Sequence, residues 1–281
     1  MQAEIQEFSV INLEGVIVVI DWSKTKAAVW RRHASGLRTI RRLDHVAWES
    51  LHGIDSQKKQ IAENTERFLM ARPANNVLLW GSRGTGKSSL IKALIPKYAD
   101  HGLRMIEVDK EDLINLHEIV DSICDEPYRF IIYCDDLSFE AGETAYKPLK
   151  SVLEGSLELP PDNVLFYATS NRRHLMPDYM ADNLATGLKD GDIHPGEGIE
   201  EQVSLADRFG MQLAFYVISQ QTYLEMVDKL FPEAEDRSLL HQNAIRFATQ
   251  KGARNGRTAN QFYRQFCQAP TTYDPEKEHP L

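Results

Sequence analysis

The chain has little cysteine. Cys124, Cys134 and Cys267 stand far apart and odd in number among 281 residues. That excludes a disulfide framework and a cysteine-built zinc site, and it fits a reducing compartment. Long hydrophobic runs are missing too. The longest, GVIVVI from Gly15 to Ile20, is far short of the about 20 apolar residues that span a bilayer, so no membrane role is expected. A basic start is also lacking. The opening MQAEIQEF puts acids ahead of any apolar segment, the reverse of a secretory signal, so the expected location is cytoplasmic.

Acids are absent from one stretch. Between Lys24 and Arg42 there are seven Lys/Arg (Lys24, Lys26, Arg31, Arg32, Arg38, Arg41, Arg42) and no acid. The whole chain carries −9, so the +7 here leaves −16 elsewhere. A basic arm on an acidic body can mark a nucleic-acid or acidic partner; the plainer reading, which is favoured, is a solvated helix face or an arm that docks on its own body. The rest of the composition, 42% hydrophobic and 26% charged, is that of an ordinary globular protein.

Residues 1–45 read as a basic N-terminal leader. A strand or short buried element is expected over FSVINLEGVIVVIDW, and a helix over SKTKAAVWRRHA with Ser23 as its N-cap. Residues 46–219 alternate short apolar runs with helical patterns. The runs are Val77–Trp80, Leu103–Val108, Phe130–Cys134, Val164–Ala168 and Leu213–Ile218. The stretch SQKKQIAENTERFLMA before the first run reads as an amphipathic helix. Apolar strands alternating with helices predict an α/β fold, a parallel sheet covered on both faces. Residues 220–268 read as a small all-helical subdomain, and 269–281 as a disordered tail. An acidic, glycine-bearing insertion occupies about 176–204.

The chemistry gathers at Gly81-Ser82-Arg83-Gly84-Thr85-Gly86-Lys87-Ser88, a full G-x-x-x-x-G-K-[ST] followed by Ser89. Glycines let the backbone turn tightly with its N–H groups facing phosphates. Lys87 supplies a positive charge to the β- and γ-phosphates, and the Ser88 hydroxyl can ligate Mg²⁺. The context fits, with strand NVLLW before and helix SLIKALI after. Hydrolysis needs acids on a second strand, and FIIYCDD ends in Asp135 and Asp136. Asp135 is the metal-side candidate. Asp136 is the water-orienting candidate, one methylene shorter than a glutamate, and Glu140 is a substitute for it. A third strand, NVLFYATSN, ends in Asn171, which can sit beside the γ-phosphate and the attacking water. SLADRFG places Arg208 before a fifth strand, where an arginine can reach a neighbouring subunit's γ-phosphate. KGARNGRTANQF offers Arg257, or Arg254, to touch phosphates in cis. Gly53 and Ile54 in LHGID are candidates to clamp adenine.

This ordered set resembles the AAA+ ATPases over about Leu43 to Phe266. LHGID is similar to their adenine-side segment, GSRGTGKS to Walker A and CDD to Walker B. ATSN, ADRF and ARNGR are similar to sensor 1, the arginine finger and sensor 2. More narrowly, DWSKTKAAVWRRH, DDLSFE, TSNRRHLMPDYM and SLADRFG resemble a bacterial AAA+ family catalogued as a domain of unknown function. That likeness reaches into the leader and implies that it belongs to the domain. The resemblance implies a P-loop NTPase three-layer αβα fold with sheet order 5-1-4-3-2 and a helical lid. It implies ATP with Mg²⁺, and a homo-oligomer, a hexamer among the candidate states, with nucleotide sites completed between subunits. The departure is Asp136 where a glutamate is common.

Three functions stay open. One is an ATPase that remodels or loads an unknown macromolecular partner. The second is an ATP-gated switch that hydrolyses slowly or not at all. The third is a helicase-loader-like ATPase on nucleic acid, resting on the basic leader and on analogy. A small-molecule kinase would need an acceptor site, and the ATSN…ADRF order disfavours it.

Overall fold

The computed structural model describes residues 10–12, 15–17, 20–32, 36–139, 146–154, 160–173, 175, 187–189, 192–194 and 205–267. Its centre is a seven-stranded sheet. In chain order the strands are β3 (Ala27–Arg31), β4 (Gly36–Thr39), β5 (Val77–Gly81), β6 (Leu103–Glu107), β7 (Arg129–Cys134), β8 (Val164–Ser170) and β11 (Met211–Phe215). Two separate hairpins pair β1 (Val10–Asn12) with β2 (Gly15–Ile17), and β9 (Gly187–Lys189) with β10 (Asp192–His194). The sheet order is β11-β5-β8-β7-β6-β3-β4. Its first five strands are all parallel and follow the expected 5-1-4-3-2, counting from the strand before the phosphate loop.

The central strands β5, β6, β7 and β8 are buried on both faces, which their near-continuous apolar runs require. Along β7, Phe130, Ile132 and Cys134 enter one core while Ile131 and Tyr133 enter the other. The second core is roofed by α1 (Asp55–Leu69), α2 (Lys87–Lys92) and α3 (Leu94–Tyr98). In α1 the buried positions are Ile61, Asn64, Thr65 and Phe68, one stripe at helical spacing. Pro96 has no N–H to donate back into α2, which accounts for the break between α2 and α3. The first core holds α4 (Leu116–Asp121) and α5 (Tyr146–Glu154).

The leader corrects an expectation. The helix anticipated over SKTKAAVWRRHA is a strand: Ala27–Trp30 are buried on both sides, and β3 runs parallel to β6, with Ala27 opposite Met105. Pairing with a distant strand overrides the local helical pattern. Ser23 caps nothing; its hydroxyl and N–H both donate to Asp21. Buried Arg104 on β6 fastens the leader by donating to the Trp22 carbonyl at 2.7 Å. Three leader cations meet acids, Lys24 with Asp21, Lys26 with Asp100 and Arg31 with Asp109. Arg32, Arg38, Arg41 and Arg42 form no ion pair among the described residues.

After β11 come α6 (Gln220–Leu230), α7 (Arg237–Gln250) and α8 (Gly256–Phe266), around a core of their own that includes Tyr223, Leu240, Phe247 and Phe262. Each begins with a side-chain cap, Ser219, Asp236 and Asn255 respectively. No helix among the described residues is long and apolar enough to cross a membrane.

Candidate functional site

Open parallel sheets place ligands beyond the carboxyl ends of their strands. Here β5, β8 and β7 are adjacent, with Trp80 opposite Ser170 and Ala168 opposite Cys134. Gly81, Asn171 and Asp135 therefore leave the sheet side by side.

The loop turns sharply at Gly81. Its φ is 130, and a Cβ there would stand 2.0 Å from the Phe215 carbonyl oxygen, so only glycine fits. The Ser82 N–H donates to the same carbonyl at 3.1 Å. Thr85 closes the turn by donating from its hydroxyl to the Ser82 carbonyl at 2.8 Å. Gly86 is left-handed, and its carbonyl accepts from the Leu90 N–H, starting α2 with Ser88 and Ser89 in its first turn.

Lys87 is buried. Its ammonium donates to the carbonyls of Gly81 at 2.6 Å and Ser82 at 2.8 Å, and to Asn171 Oδ1 at 3.2 Å. Burial pulls its pKa below the usual lysine value, opposed by the charges of Asp136 and Asp135.

Asp135 Oδ1 accepts from the Ser88 hydroxyl at 2.7 Å and from the Thr169 hydroxyl at 2.5 Å. Burial raises its pKa, but these hydrogen bonds outweigh burial and hold the carboxyl below its usual range. An ionised carboxylate beside a serine hydroxyl is an oxygen donor pair suited to Mg²⁺. Among the described residues no cluster of three or more His, Cys, Asp or Glu could hold a metal, so that pair would bind one together with phosphate oxygens.

Asp136 is bound on three sides. Its N–H donates to Thr169 Oγ1 at 2.9 Å, its Oδ1 accepts from Asn171 Nδ2, and Arg83 Nη2 stands 4.0 Å from its Oδ2. Its φ is 50, left-handed for a non-glycine residue. Aspartate and asparagine tolerate that region better than longer side chains, a physical reason for aspartate here. Glu140 lies outside the described residues.

Gly53 and Ile54 line a cavity of about 170 Å³, with Gln57, Thr222 and the run Phe215–Ile218. Tyr216 and Val217 are 72% and 69% exposed there. Arg257 is near enough for its charge to depress Lys87 further, whereas Arg254 donates to Gln220 of α6 at 2.9 Å. Arg208 does not join this group. It precedes β11, whose amino end at Met211 pairs with Val77, at the far end of β5 from Gly81. The five residues of β11 put about 13 Å between those ends.

Sequence reasoning missed two participants. Thr169 bridges Asp135 and Asp136; as a β8 residue two before Asn171 it shares that residue's face, which strand alternation could have shown. Asn255 caps α8 by accepting from the Thr258 N–H at 3.0 Å, and its Nδ2 donates to the Arg83 carbonyl at 3.4 Å. The N-x-x-T spacing of Asn255 and Thr258 signals the cap but not the contact.

A family model described as "Protein of unknown function (DUF815)" matches residues 23–269. No curated protein matches the chain significantly. Among solved structures it is similar to the Aeropyrum pernix ORC1 protein in complex with DNA, at 13% identity and a TM-score of 0.54, covering 76% of this chain and 59% of that one. It is also similar to the Thermotoga maritima RuvB Holliday junction branch migration motor, at 13% identity and a TM-score of 0.46, covering 83% of this chain and 76% of that one. At such identities the ORC1 likeness shows a shared fold alone.

Proposed function

The chain belongs to the family described as "Protein of unknown function (DUF815)" and has an AAA+ fold, and from that premise we propose that it is a Mg²⁺-dependent ATPase acting on a macromolecular partner. The observation that carries this reading is the convergence of Lys87, Ser88, Asp135, Asp136 and Asn171 at the carboxyl ends of three adjacent strands.

The reaction is ATP and water to ADP and phosphate. Lys87 exchanges its hydrogen bonds to the Gly81 and Ser82 carbonyls for the β- and γ-phosphate oxygens. Ser88 and Asp135 would hold Mg²⁺, which when bound would supply positive charge against the phosphates. Asn171 and Asp136 flank the γ-phosphate side; Asp136 orients the attacking water and accepts its proton. Gly53, Ile54 and Tyr216 wall the adenine cavity. Arg257 senses the phosphates from the helical lid, residues 220–268, and the lid moves with nucleotide state. Arg208 precedes the amino end of β11, at the far end of β5 from its own loop, which suits a homo-oligomer in which it completes a neighbour's site.

The test is Mg²⁺-dependent phosphate release. Wild type should exceed Lys87→Ala, which loses nucleotide binding. Asp136→Asn should bind ATP and release almost no phosphate. Equal release by wild type and Lys87→Ala would end the ATPase reading.

A second reading, a slow ATP-gated switch, is favoured by one observation: both Asp136 carboxylate oxygens already face partners, Asn171 and Arg83. It predicts an Asp136→Asn variant that keeps partner capture. For the nucleic-acid reading, three leader cations already meet acids, and Arg32, Arg38, Arg41 and Arg42 form no ion pair among the described residues.

A further inference from the structure

The third residue of the phosphate loop faces two ways. The Arg83 carbonyl accepts from Asn255, the cap of lid helix α8, while its guanidinium approaches the Asp136 carboxylate. The next residue, Gly84, has no side chain, and a Cβ there would stand 2.5 Å from Asn255 Nδ2. The bare glycine is what lets the lid cap reach the loop.

Each end of this tie has one free choice removed. Asn255 spends its Oδ1 on the Thr258 N–H and hydroxyl, so its Nδ2 is the group left to find the core. Asp136 has a left-handed backbone fastened through its N–H to Thr169, which fixes where its short side chain starts. Its Oδ1 is engaged by Asn171, so the remaining oxygen faces Arg83. A two-bond carboxylate without a glutamate's reach depends more on neighbours for its aim.

We infer that Arg83 is a positioning residue that links Asp136 to Asn255, so that the water-orienting carboxylate is aimed only while the lid is seated on the phosphate loop. This rests on the ATPase reading. When the lid leaves, Asn255 releases the Arg83 carbonyl, the loop relaxes, and Asp136 keeps Asn171 but loses its cation. Hydrolysis is thereby tied to lid position within one chain.

The link is tested with Arg83→Gln, Arg83→Lys, Asn255→Ser (which keeps a capping oxygen but withdraws the amide) and the Arg83→Gln/Asn255→Ser double variant. Equilibrium ATP binding and single-turnover hydrolysis are measured separately. Arg83→Gln and Asn255→Ser should each slow hydrolysis about tenfold while ATP affinity changes less than about twofold. Arg83→Lys should recover part of the rate. The double variant should be no slower than the slower single one, because both break one connection. Affinity falling with the rate unchanged would make Arg83 a phosphate ligand only; multiplying effects would make the two residues independent. Amide exchange over 255–258 with ATP bound needs no turnover. Faster exchange there in both Arg83→Gln and Asp136→Asn supports the link, and wild-type exchange in both overturns it. If wild type hydrolyses no faster than Lys87→Ala, the ATPase reading fails, and the exchange result still decides whether the tie exists.

Discussion

At Asp136 the backbone and the chemistry make opposing demands. A glutamate would reach further toward water, but φ 50 penalises a longer side chain. Asp136→Glu is therefore expected to lower the melting midpoint by about 2–4 °C, corresponding to ~1 kcal/mol in a protein of this size. Its single-turnover rate should not exceed that of wild type. A faster and equally stable variant would show that the left-handed turn does not select aspartate.

Among the elements, α1 and β8 are joined beneath the site by a small polar cluster. The Tyr167 hydroxyl receives a hydrogen bond from Asn64 Nδ2 at 2.9 Å and meets Thr65 Oγ1 at 3.0 Å, all buried. Asn64 also holds the turn into β5, accepting from the Asn75 N–H and donating to its carbonyl. Tyr167→Phe removes one partner from two buried groups, and should cost about 1–3 kcal/mol in urea unfolding. Burial pushes Tyr167 and Tyr223 up to about 12 from a usual 10. A raised folded-state pKa means stability that is whole below pH 10 and is lost as pH climbs to about 12. Urea midpoints should fall across that window, less steeply in Tyr167→Phe.

The phosphate loop was legible because its glycines, lysine and serine act within eight consecutive residues. The five core strands were legible because burial on both faces leaves apolar runs. The leader strand is not legible in the sequence because what makes Ala27–Arg31 a strand is β6, which lies 78 residues on, where Ala27 meets Met105. The contact of Arg83 with Asp136, and of Asn255 with Arg83, was invisible for the same reason: each partner is ordinary in its own neighbourhood. The preference for Arg257 over Arg254 rests in the sequence on its place nearer the helix start; the fold adds that Arg254 donates to Gln220.

For the whole molecule, the separation of Arg208 from its own loop makes a mixing experiment decisive. Lys87→Ala and Arg208→Ala chains should each be inactive alone. Mixed in equal amounts, about a quarter of interfaces would combine an intact Lys87 with an intact Arg208 from the next copy, and activity should return to roughly that share. Two variants that stay inactive together would place Arg208 in its own chain's business.

The seating of β3 against β6 also has a consequence in time. Ala27 is synthesised early but must await Met105, 78 residues behind it. At about 5–20 residues per second that is roughly 4–16 s during which β3 has only β4 to pair with. Slowing translation between residues 40 and 105 should increase the aggregated fraction without altering the folded product.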